Sequence, residues 1–365
     1  MDYYHQYLTG QSQGLIAAYQ KQLDALFESS PERVDAFLMQ CAAELSLANV
    51  NKDQKGTLSF DNIEGGPFAA LIVSHESPHH APKIIGLGAN HVVPESDPSA
   101  HGEISAIRDA VSRLGYSDLS GMSMYTSCEC CPQCQSAVTA VGIQRIYYGN
   151  DRFDAEEIGF SDEEQYRLMA DMQASMQAIE DTDHQQEYHS LLGDHGAMIL
   201  DQDQNVLAYG DIEFDHEDPF GTLPSMNAIR RTCAILGVFH LPEECRLICR
   251  HKPHPITFIT ADWARIGRIR DINHPNDPSR DAFMKDTSAI VYIEDETEKL
   301  WVTGPSKQRK VLVDCNAIID DVLKNPENRL RVLTTQISDN GALDAAKQAF
   351  KQWACIIKKN AQLKY

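Results

Sequence analysis

The apolar positions of the first fifty residues recur at helical spacing. Leu15, Ile16, Tyr19, Leu23 and Leu26 form one stripe. Ser29-Ser30-Pro31 interrupts it, with Pro31 suited to a first helical position. Val34, Phe37, Leu38, Cys41, Leu45 and Leu47 then resume the stripe. Beyond the turn Gly65-Gly66-Pro67 the period changes. Phe68–Val73 is a short continuous apolar run, as a buried strand would be, and Lys83–Gly88 is a second. Ser99–Leu114 returns to helical spacing through Ile104, Ile107, Val111 and Leu114, and Gly115 ends it. Met122–Thr126 and Ile143–Tyr148 read as strands. Pro132–Val141 reads as the helix between them, with Pro132 tolerated in its first turn. Strands alternating with helices predict an α/β unit with a mixed sheet. Glu163–Ile179 predicts a polar amphipathic helix, and Glu180–His189 a linker.

The downstream half repeats fragments of this pattern. Ala106-Ile107-Arg108 recurs as Ala228-Ile229-Arg230 and Gly115 as Gly237, both 122 residues on. Arg145-Ile146 recurs as Arg268-Ile269 at an offset of 123, and Asp97-Pro98 as Asp218-Pro219 at 121. Met198–Tyr209 carries a strand-turn-strand pattern like the opening strands of the first copy. A duplicated architecture is therefore expected. It comprises an N-terminal helical extension over 1–30, a first domain over 31–180, a second over 190–325 and a C-terminal helical segment over 326–365. In the last, Ala346, Phe350, Trp353 and Ile357 predict the buried stripe of a helix at Ala342–Lys359. Lys307–Lys310 reads as a solvated basic loop.

Length and composition agree with this division. A chain of 365 residues calls for two domains, and 42% hydrophobic with 23% charged residues is globular composition. No apolar run reaches the ~18 residues of a membrane span. Met1–Gly10 lacks the basic and apolar regions of a secretory signal, so a cytoplasmic location is expected. The balance of 32 Lys+Arg against 53 Asp+Glu, net −21, argues against a nucleic-acid partner, which requires a basic footprint. Glu298–Tyr365 is locally basic, with 12 basic and 7 acidic residues. The default partner is a small molecule.

Four of the ten cysteines sit together as Cys128, Cys130, Cys131 and Cys134. Without a secretion signal, such a cluster points to metal or redox chemistry rather than to cross-links. His101-Gly102-Glu103 supplies the other half of a site. A catalytic zinc keeps three protein ligands and one open position for water. His101, Cys131 and Cys134 can provide the three, each at a predicted helix start. Glu103, two residues beyond the histidine, lies near the metal without ligating it, where a proton shuttle is wanted. This His-x-Glu…Cys-x-x-Cys arrangement is the signature of zinc deaminases. A purely structural zinc would normally take four protein ligands. Cys128 and Cys130 fit neither motif position and read as small packed residues. His251 with His254 reads as a surface or satisfied pair, and His79-His80, between Pro78 and Pro82, as an exposed loop.

At these residues the chain resembles a known family. Gly65-Gly66-Pro67-Phe68, Asn90, Asp97-Pro98-Ser99-Ala100-His101-Gly102-Glu103 and Thr126-Ser127-Cys128-Glu129-Cys130-Cys131-Pro132-Gln133-Cys134 look like the bacterial guanine deaminases of the cytidine deaminase-like superfamily. The tRNA adenosine deaminases are near relatives. The resemblance runs from about Phe37 to Tyr166 and includes Asp154–Phe160. It departs from the family at Gly102, where Ala is usual, at Cys130, where Pro is usual, and at Gln133, where Met is usual. It implies a three-layer α/β/α fold with a mixed sheet, and one Zn2+ per chain held between two helix N-termini by His101, Cys131 and Cys134. Glu103 would carry protons as the catalytic residue. Asn90 would hydrogen-bond the base, and Asp154 would recognise the amino face of a purine. Phe68, Ala100 and Phe160 complete the expected substrate-binding set. Simpler readings stand beside these: Asn90 and Asp154 as turn residues, Phe160 as packing.

The second copy lacks the chemistry. Thr222-Leu223-Pro224-Ser225-Met226-Asn227 contains no His-x-Glu, and the offset of 123 carries Cys131 and Cys134 onto His254 and Thr257. The expectation is an active copy and a degenerate one, paired within the chain as a pseudo-dimer or further assembled as a homo-oligomer. The expected function is hydrolytic deamination of a free nucleobase or nucleoside, guanine-like first. The alternatives are a nucleic-acid editing deaminase and a non-catalytic, zinc-retaining nucleobase-binding protein.

Overall fold

The computed structural model describes residues 2–50, 66, 68–150, 152–157, 160–162, 185–213, 218–242, 244–251, 253–271, 291–294, 299–303 and 306–312. Two long helices open the chain, α1 (Asp2–Ser29) and α2 (Val34–Val50), joined by a 3-10 turn at Pro31–Arg33. The hairpin β1 (Ala69–Ser74) and β2 (Lys83–Ala89) follows, then the short α3 (Val92–Glu95) and α4 (Gly102–Leu114). Next come β3 (Met122–Thr126), α5 (Pro132–Ala140), β4 (Arg145–Tyr148) and α6 (Arg152–Glu157). β1 runs antiparallel to both β2 and β3, whereas β4 is parallel to β3, so the sheet is mixed as predicted.

Strand alternation sorts the sheet's side chains into two cores. Ala70, Ile72, Met124 and Ile146 face α4 and α5, where they meet Ile104, Ile107, Val111, Ala137 and Val138. Leu71, Val73, Leu87 and Tyr125 face the other way, onto Leu38 and Met39 of α2 and Tyr19 and Leu23 of α1. The result is a three-layer α/β/α unit. α1, expected as an extension over 1–30, packs directly into the second of these cores.

Glycine in β2 lets α4 lie against the sheet. A Cβ on Gly88 would come 2.1 Å from the Ala106 nitrogen and 2.3 Å from the Gly102 oxygen, and one on Gly86 would come 2.7 Å from the Ala106 oxygen. Any side chain at either position would lift the helix off the sheet.

Downstream, α7 (Gln185–Leu192) leads into β5 (Ala197–Leu200), β6 (Val206–Gly210), α8 (Pro224–Leu236), β7 (Arg246–Cys249), α9 (Pro255–Trp263) and β8 (Arg268–Asp271). Its sheet has the order β6-β5-β7-β8, against β2-β1-β3-β4 in the first unit, with the same strand senses. Both hairpins shift register at one point, between Ile72 and Val73 and between Ile199 and Leu200. α4 and α8 each span 13 residues and end on a left-handed glycine, Gly115 and Gly237. Gly210 seats α8 as Gly88 seats α4, since a Cβ there would meet the Ala228 nitrogen at 2.6 Å.

The two units share a core. Phe220, Met226 and Ile256 are buried in the same cluster as Ile104, Cys130 and Cys134. Four charges cross the seam beside them. Arg230 Nε lies 2.9 Å from Asp97 and Arg230 Nη1 2.6 Å from Asp218, while Arg108 lies 3.4 Å from Asp97 and 3.3 Å from Asp218. Each arginine therefore bridges both carboxylates, and the Arg108 guanidinium sits 5.9 Å from the Phe220 ring centroid. These are the Asp-Pro and Ala-Ile-Arg fragments that recur in the sequence.

Three local expectations change. Residues 185–192, partly assigned to a linker, form α7, because Tyr188 and Leu192 are buried against Met198 and Ile248. Lys307–Lys310 is not a loop. It lies within β11 (Ser306–Leu312), which follows β9 (Val291–Glu294) and β10 (Lys299–Thr303). β11 pairs in parallel with β4 and extends the first sheet to the order β2-β1-β3-β4-β11-β10-β9. Residues 291–312, expected in a domain over 190–325, thus cross back to cover what would otherwise be the open edge of β4. The helices expected at Glu163–Ile179 and Ala342–Lys359 lie outside the described residues. Among the described residues, no helix is long and apolar enough to cross a membrane.

The charge network makes a pH prediction. Burial alone would raise the Asp97 pKa, but the Arg230 and Arg108 guanidiniums and the Ser99 hydrogen bonds outweigh it and hold the carboxyl at about 2 instead of 3.8. A folded-state pKa below the unfolded value stabilises above the unfolded pKa and is lost as pH falls through the folded one. The contribution, about 2 kcal/mol, is complete above pH ~4 and disappears toward pH ~2. Urea midpoints should therefore fall with acid more steeply for the native chain than for Asp97→Asn over that window, and parallel curves would contradict the assignment. Arg230→Ala, which leaves Asp97 short of one partner in a buried site, should cost about 3 kcal/mol at neutral pH.

Candidate functional site

Two helix starts meet beside the end of β3. His101 is the N-cap residue of α4, in extended conformation (φ −69°, ψ 156°), and Cys131 is the N-cap residue of α5 (φ −63°, ψ 165°). The Cys131 sulfur accepts the Cys134 backbone N–H at 3.4 Å, and Pro132 occupies the first helical position. The Cys-Pro-x-Cys string thus builds its own cap and brings both sulfurs to one helix end, where the helix dipole favours negative charge. His101 and Glu103 hang from the first turn of α4. Gly102 between them is pressed on β1. An alanine Cβ there would lie 2.8 Å from the Phe68 oxygen and 2.9 Å from the Ala69 Cα.

The structure brings His101, Cys131 and Cys134 together. His101 Nδ1 is 3.4 Å from Cys131 Sγ and 3.5 Å from Cys134 Sγ, and all three donor atoms lie within 4.8 Å of one another. A tetrahedral zinc with Zn–S of about 2.3 Å and Zn–N of about 2.0–2.1 Å separates sulfur from nitrogen by about 3.5 Å. Donor types and spacing therefore fit zinc, with three protein ligands and one position left over. Cys128 and Cys130 are buried but stand outside this group, with Cys130 Sγ 4.0 Å from Met124 Sδ.

Glu103 is buried beside the three. Thr126 Oγ1 donates to its Oε1 at 3.3 Å and Cys134 Sγ donates to its Oε2 at 3.4 Å. Burial pushes its carboxyl pKa up, and the Cys131 charge adds to the effect. Burial also opposes ionisation of Cys131, but the Cys134 thiol and the His101 ring outweigh it and hold Cys131 well below the usual thiol range. Cys134 is pushed well above that range by burial and by its neighbour's charge. Burial would lower His101, yet the charge and hydrogen bond of Cys131 raise it to about 9.

The remaining expected residues divide. Asn90 is buried. Its Oδ1 accepts from the Gly66 and Val92 backbone at 3.3 and 3.4 Å, and its side-chain nitrogen has no partner among the described residues. Ala100 is fully buried, and its oxygen accepts from the His91 backbone at 2.8 Å. Phe68 and Phe160 meet edge to face with centroids 4.8 Å apart. Asp154 lies on α6, and its side chain is outside the described residues. Gln133 faces the seam. It is fully buried and donates across the seam to Thr260 Oγ1 at 2.6 Å and to the Pro98 oxygen at 3.3 Å.

Two groups at the site escaped the sequence. Asp162 has its pKa raised well above the carboxylate range, first by burial and then by the Cys131 charge, with His101 opposing and Glu103 adding. Only its place two residues past Phe160 could have hinted at this. Trp263, from the second unit, contacts the His101 ring edge to face with centroids 5.5 Å apart. No local signal links those two residues, which stand 162 positions apart.

In the second unit the corresponding helix starts carry other chemistry. Leu223 is the N-cap residue of α8 and His254 that of α9, where His254 accepts the Ile256 N–H at 3.3 Å. Burial lowers the His254 pKa to about 4. Ser225 and Thr257 bond each other at 3.3 Å. Among the described residues, only the first unit groups three metal-ligating side chains.

Residues 40–150 match the family described as the cytidine and deoxycytidylate deaminase zinc-binding region. The chain is 41% identical over 98 residues to the guanine deaminase of Bacillus subtilis, an alignment covering 27% of this chain and 59% of that protein. It is 36% identical over 67 residues to the tRNA-specific adenosine deaminase of Agrobacterium fabrum, covering 18% and 44%. The solved structure of the Bacillus subtilis guanine deaminase aligns at 34% identity over 36% of this chain and 73% of that one, with a TM-score of 0.30. The chain therefore spans about three-fifths of the length of the first of these curated relatives and less than half of the second.

Purified protein should carry about one zinc per chain, since the three donors leave room for one tetrahedral ion. Cys131→Ser or Cys134→Ser should cut the stoichiometry by at least ~10-fold by elemental analysis. Cys128→Ser should leave it unchanged.

Proposed function

We propose, from the premise that residues 40–150 are a zinc-binding region of the cytidine and deoxycytidylate deaminase family, that this chain hydrolyses the amine from a free nucleobase or nucleoside and releases ammonia. Guanine or a related purine is the leading substrate. The carrying observation is the grouping of His101, Cys131 and Cys134 within 4.8 Å beside a buried carboxylate that hydrogen-bonds one of the three. Those three side chains would hold zinc, which when bound lowers the pKa of a water toward ~7.

The chain's own residues then handle protons and position the base. Glu103 takes the proton from the attacking water, gives it to the ring nitrogen and carries the second to the departing amine. Thr126 fixes one of its oxygens, so the carboxylate has a set orientation before substrate arrives. Asn90 offers a side-chain N–H to the base, and Phe68 with Phe160 supplies an apolar edge beside Ala100. A carboxylate from Asp154 accepting two N–H groups favours guanine over adenine, which lacks the 2-amino group. An unmatched buried polar group is worth about 1–3 kcal/mol, or roughly tenfold to hundredfold in selectivity.

The second unit is proposed as a degenerate counterpart that pairs with the first inside one chain. Its matching strand order, its matched helix lengths and the four-charge seam support this. Leu223 in the place of His101 removes a ligand, and Ser225 in the place of Glu103 removes the proton carrier. The proposed location is the cytoplasm.

Similarity to a tRNA adenosine deaminase favours one other reading, editing of a nucleic acid. A net charge of −21 counts against it. Ammonia release should be seen with guanine in a panel of bases and nucleosides. RNA binding that weakens steeply with salt, without turnover of free bases, would favour editing instead. Glu103→Gln should retain zinc and lose about 10²–10⁴-fold in kcat; turnover at the native rate would remove Glu103 from the role given to it.

A further inference from the structure

The α9 helix crosses from the second unit to the metal-ligand cluster, and it has a buried hydrogen-bond donor to spare. α9 packs on α5, and the two are tied by Gln133 Nε2 donating to Thr260 Oγ1 at 2.6 Å. Both partners are fully buried. Trp263 stands one turn beyond Thr260, on the same helix face. That anchor sets where the indole goes, and it goes to His101, ring centroids 5.5 Å apart and 71° between planes. The indole Nε1 is buried with no hydrogen-bond partner among the described residues. A buried N–H without an acceptor is rare and calls for a reason, because its desolvation is uncompensated.

We propose that Trp263 is a substrate-binding residue supplied by the second unit: it walls the nucleobase slot beside His101, and its indole N–H donates to an acceptor on the bound ring. This rests on the deaminase reading given above and extends it, since it assigns the non-catalytic unit a direct contact with substrate. Tryptophan suits the task chemically. It offers a large apolar face to a planar heterocycle and one fixed donor, which purine ring nitrogens and carbonyl oxygens can accept. A residue serving only to pack against His101 would need the ring but not the N–H.

That difference sets the test. Guanine binding is measured by calorimetry on zinc-loaded protein in a Glu103→Gln background, where turnover is blocked, with and without Trp263→Phe. Steady-state deamination is measured with and without Trp263→Phe in the otherwise native chain. Phenylalanine keeps a ring against His101 and removes the donor. The expected result is about tenfold weaker guanine binding and a KM raised by about the same factor, with kcat and zinc content little changed. Unchanged affinity and KM in Trp263→Phe would overturn the inference while leaving the deaminase reading intact. Failure of the native chain to deaminate any base, together with failure of the Glu103→Gln protein to bind one, would instead overturn the deaminase reading and this inference with it. Should Trp263→Phe fold poorly, 5-fluorotryptophan labelling gives a second measurement. The chain has three tryptophans, so the Trp263 resonance is assigned by elimination with Trp301→Phe and Trp353→Phe. Saturating guanine should shift it in the Glu103→Gln protein, and a resonance that stays in place while guanine binds would overturn the contact.

Discussion

α4 can reach the sheet only because β2 has no side chains in its way. At Gly88 a single added carbon would overlap the Ala106 nitrogen, and at Gly102 it would press on the backbone of β1. The first turn of that helix carries His101 and Glu103. Its height above the sheet therefore sets how far the imidazole stands from the sulfurs of α5 and whether Thr126, at the end of β3, can hold the carboxylate. Lifting the helix by the width of a methyl group would separate donors that now lie 3.4–3.5 Å apart. Close packing of this kind tolerates little volume change.

On that base, the chemistry of the site comes from burial combined with like and unlike charge. Glu103, Cys131 and Cys134 are taken out of water together, so each charge is felt strongly by the others. The imidazole and the Cys134 thiol favour charge on Cys131, and that charge in turn opposes ionisation of Cys134. Such a cluster is poorly satisfied alone. A divalent cation would resolve it, because it allows both sulfurs to be ionised and leaves the imidazole neutral.

The second unit contributes by position. Among the described residues its own helix starts group no metal-ligating donor set, and His254 is occupied as a cap. Yet the same helix places Thr260 on Gln133 and Trp263 on His101, while Arg230 and Asp218 lock Asp97 and Arg108 just before and within α4. The seam is both an apolar core and a charge network, so the geometry of the first site depends on residues more than a hundred positions away.

The sequence by itself determined the local parts. His-x-Glu and Cys-x-x-Cys are short-range patterns, each confined to one helix start, and their ligand chemistry is a property of the residue types. Helical and strand periods placed β1, β2, β3, α4 and α5 within three residues, because those elements bury one face or both. The recurrence of Asp-Pro and Ala-Ile-Arg marked two stretches that the fold brings to one seam. Only the tertiary structure decided what those fragments are for. It brought Arg108 and Arg230 onto shared carboxylates, tied Gln133 to Thr260 across the seam, and drew strands between residues 291 and 312 into the first sheet. It also set Asp162 and Trp263 beside the ligands. None of these has a periodicity of its own. Each follows from which strand edge was open and which helix faces met, and contacts between distant segments leave no mark in the spacing of neighbouring residues.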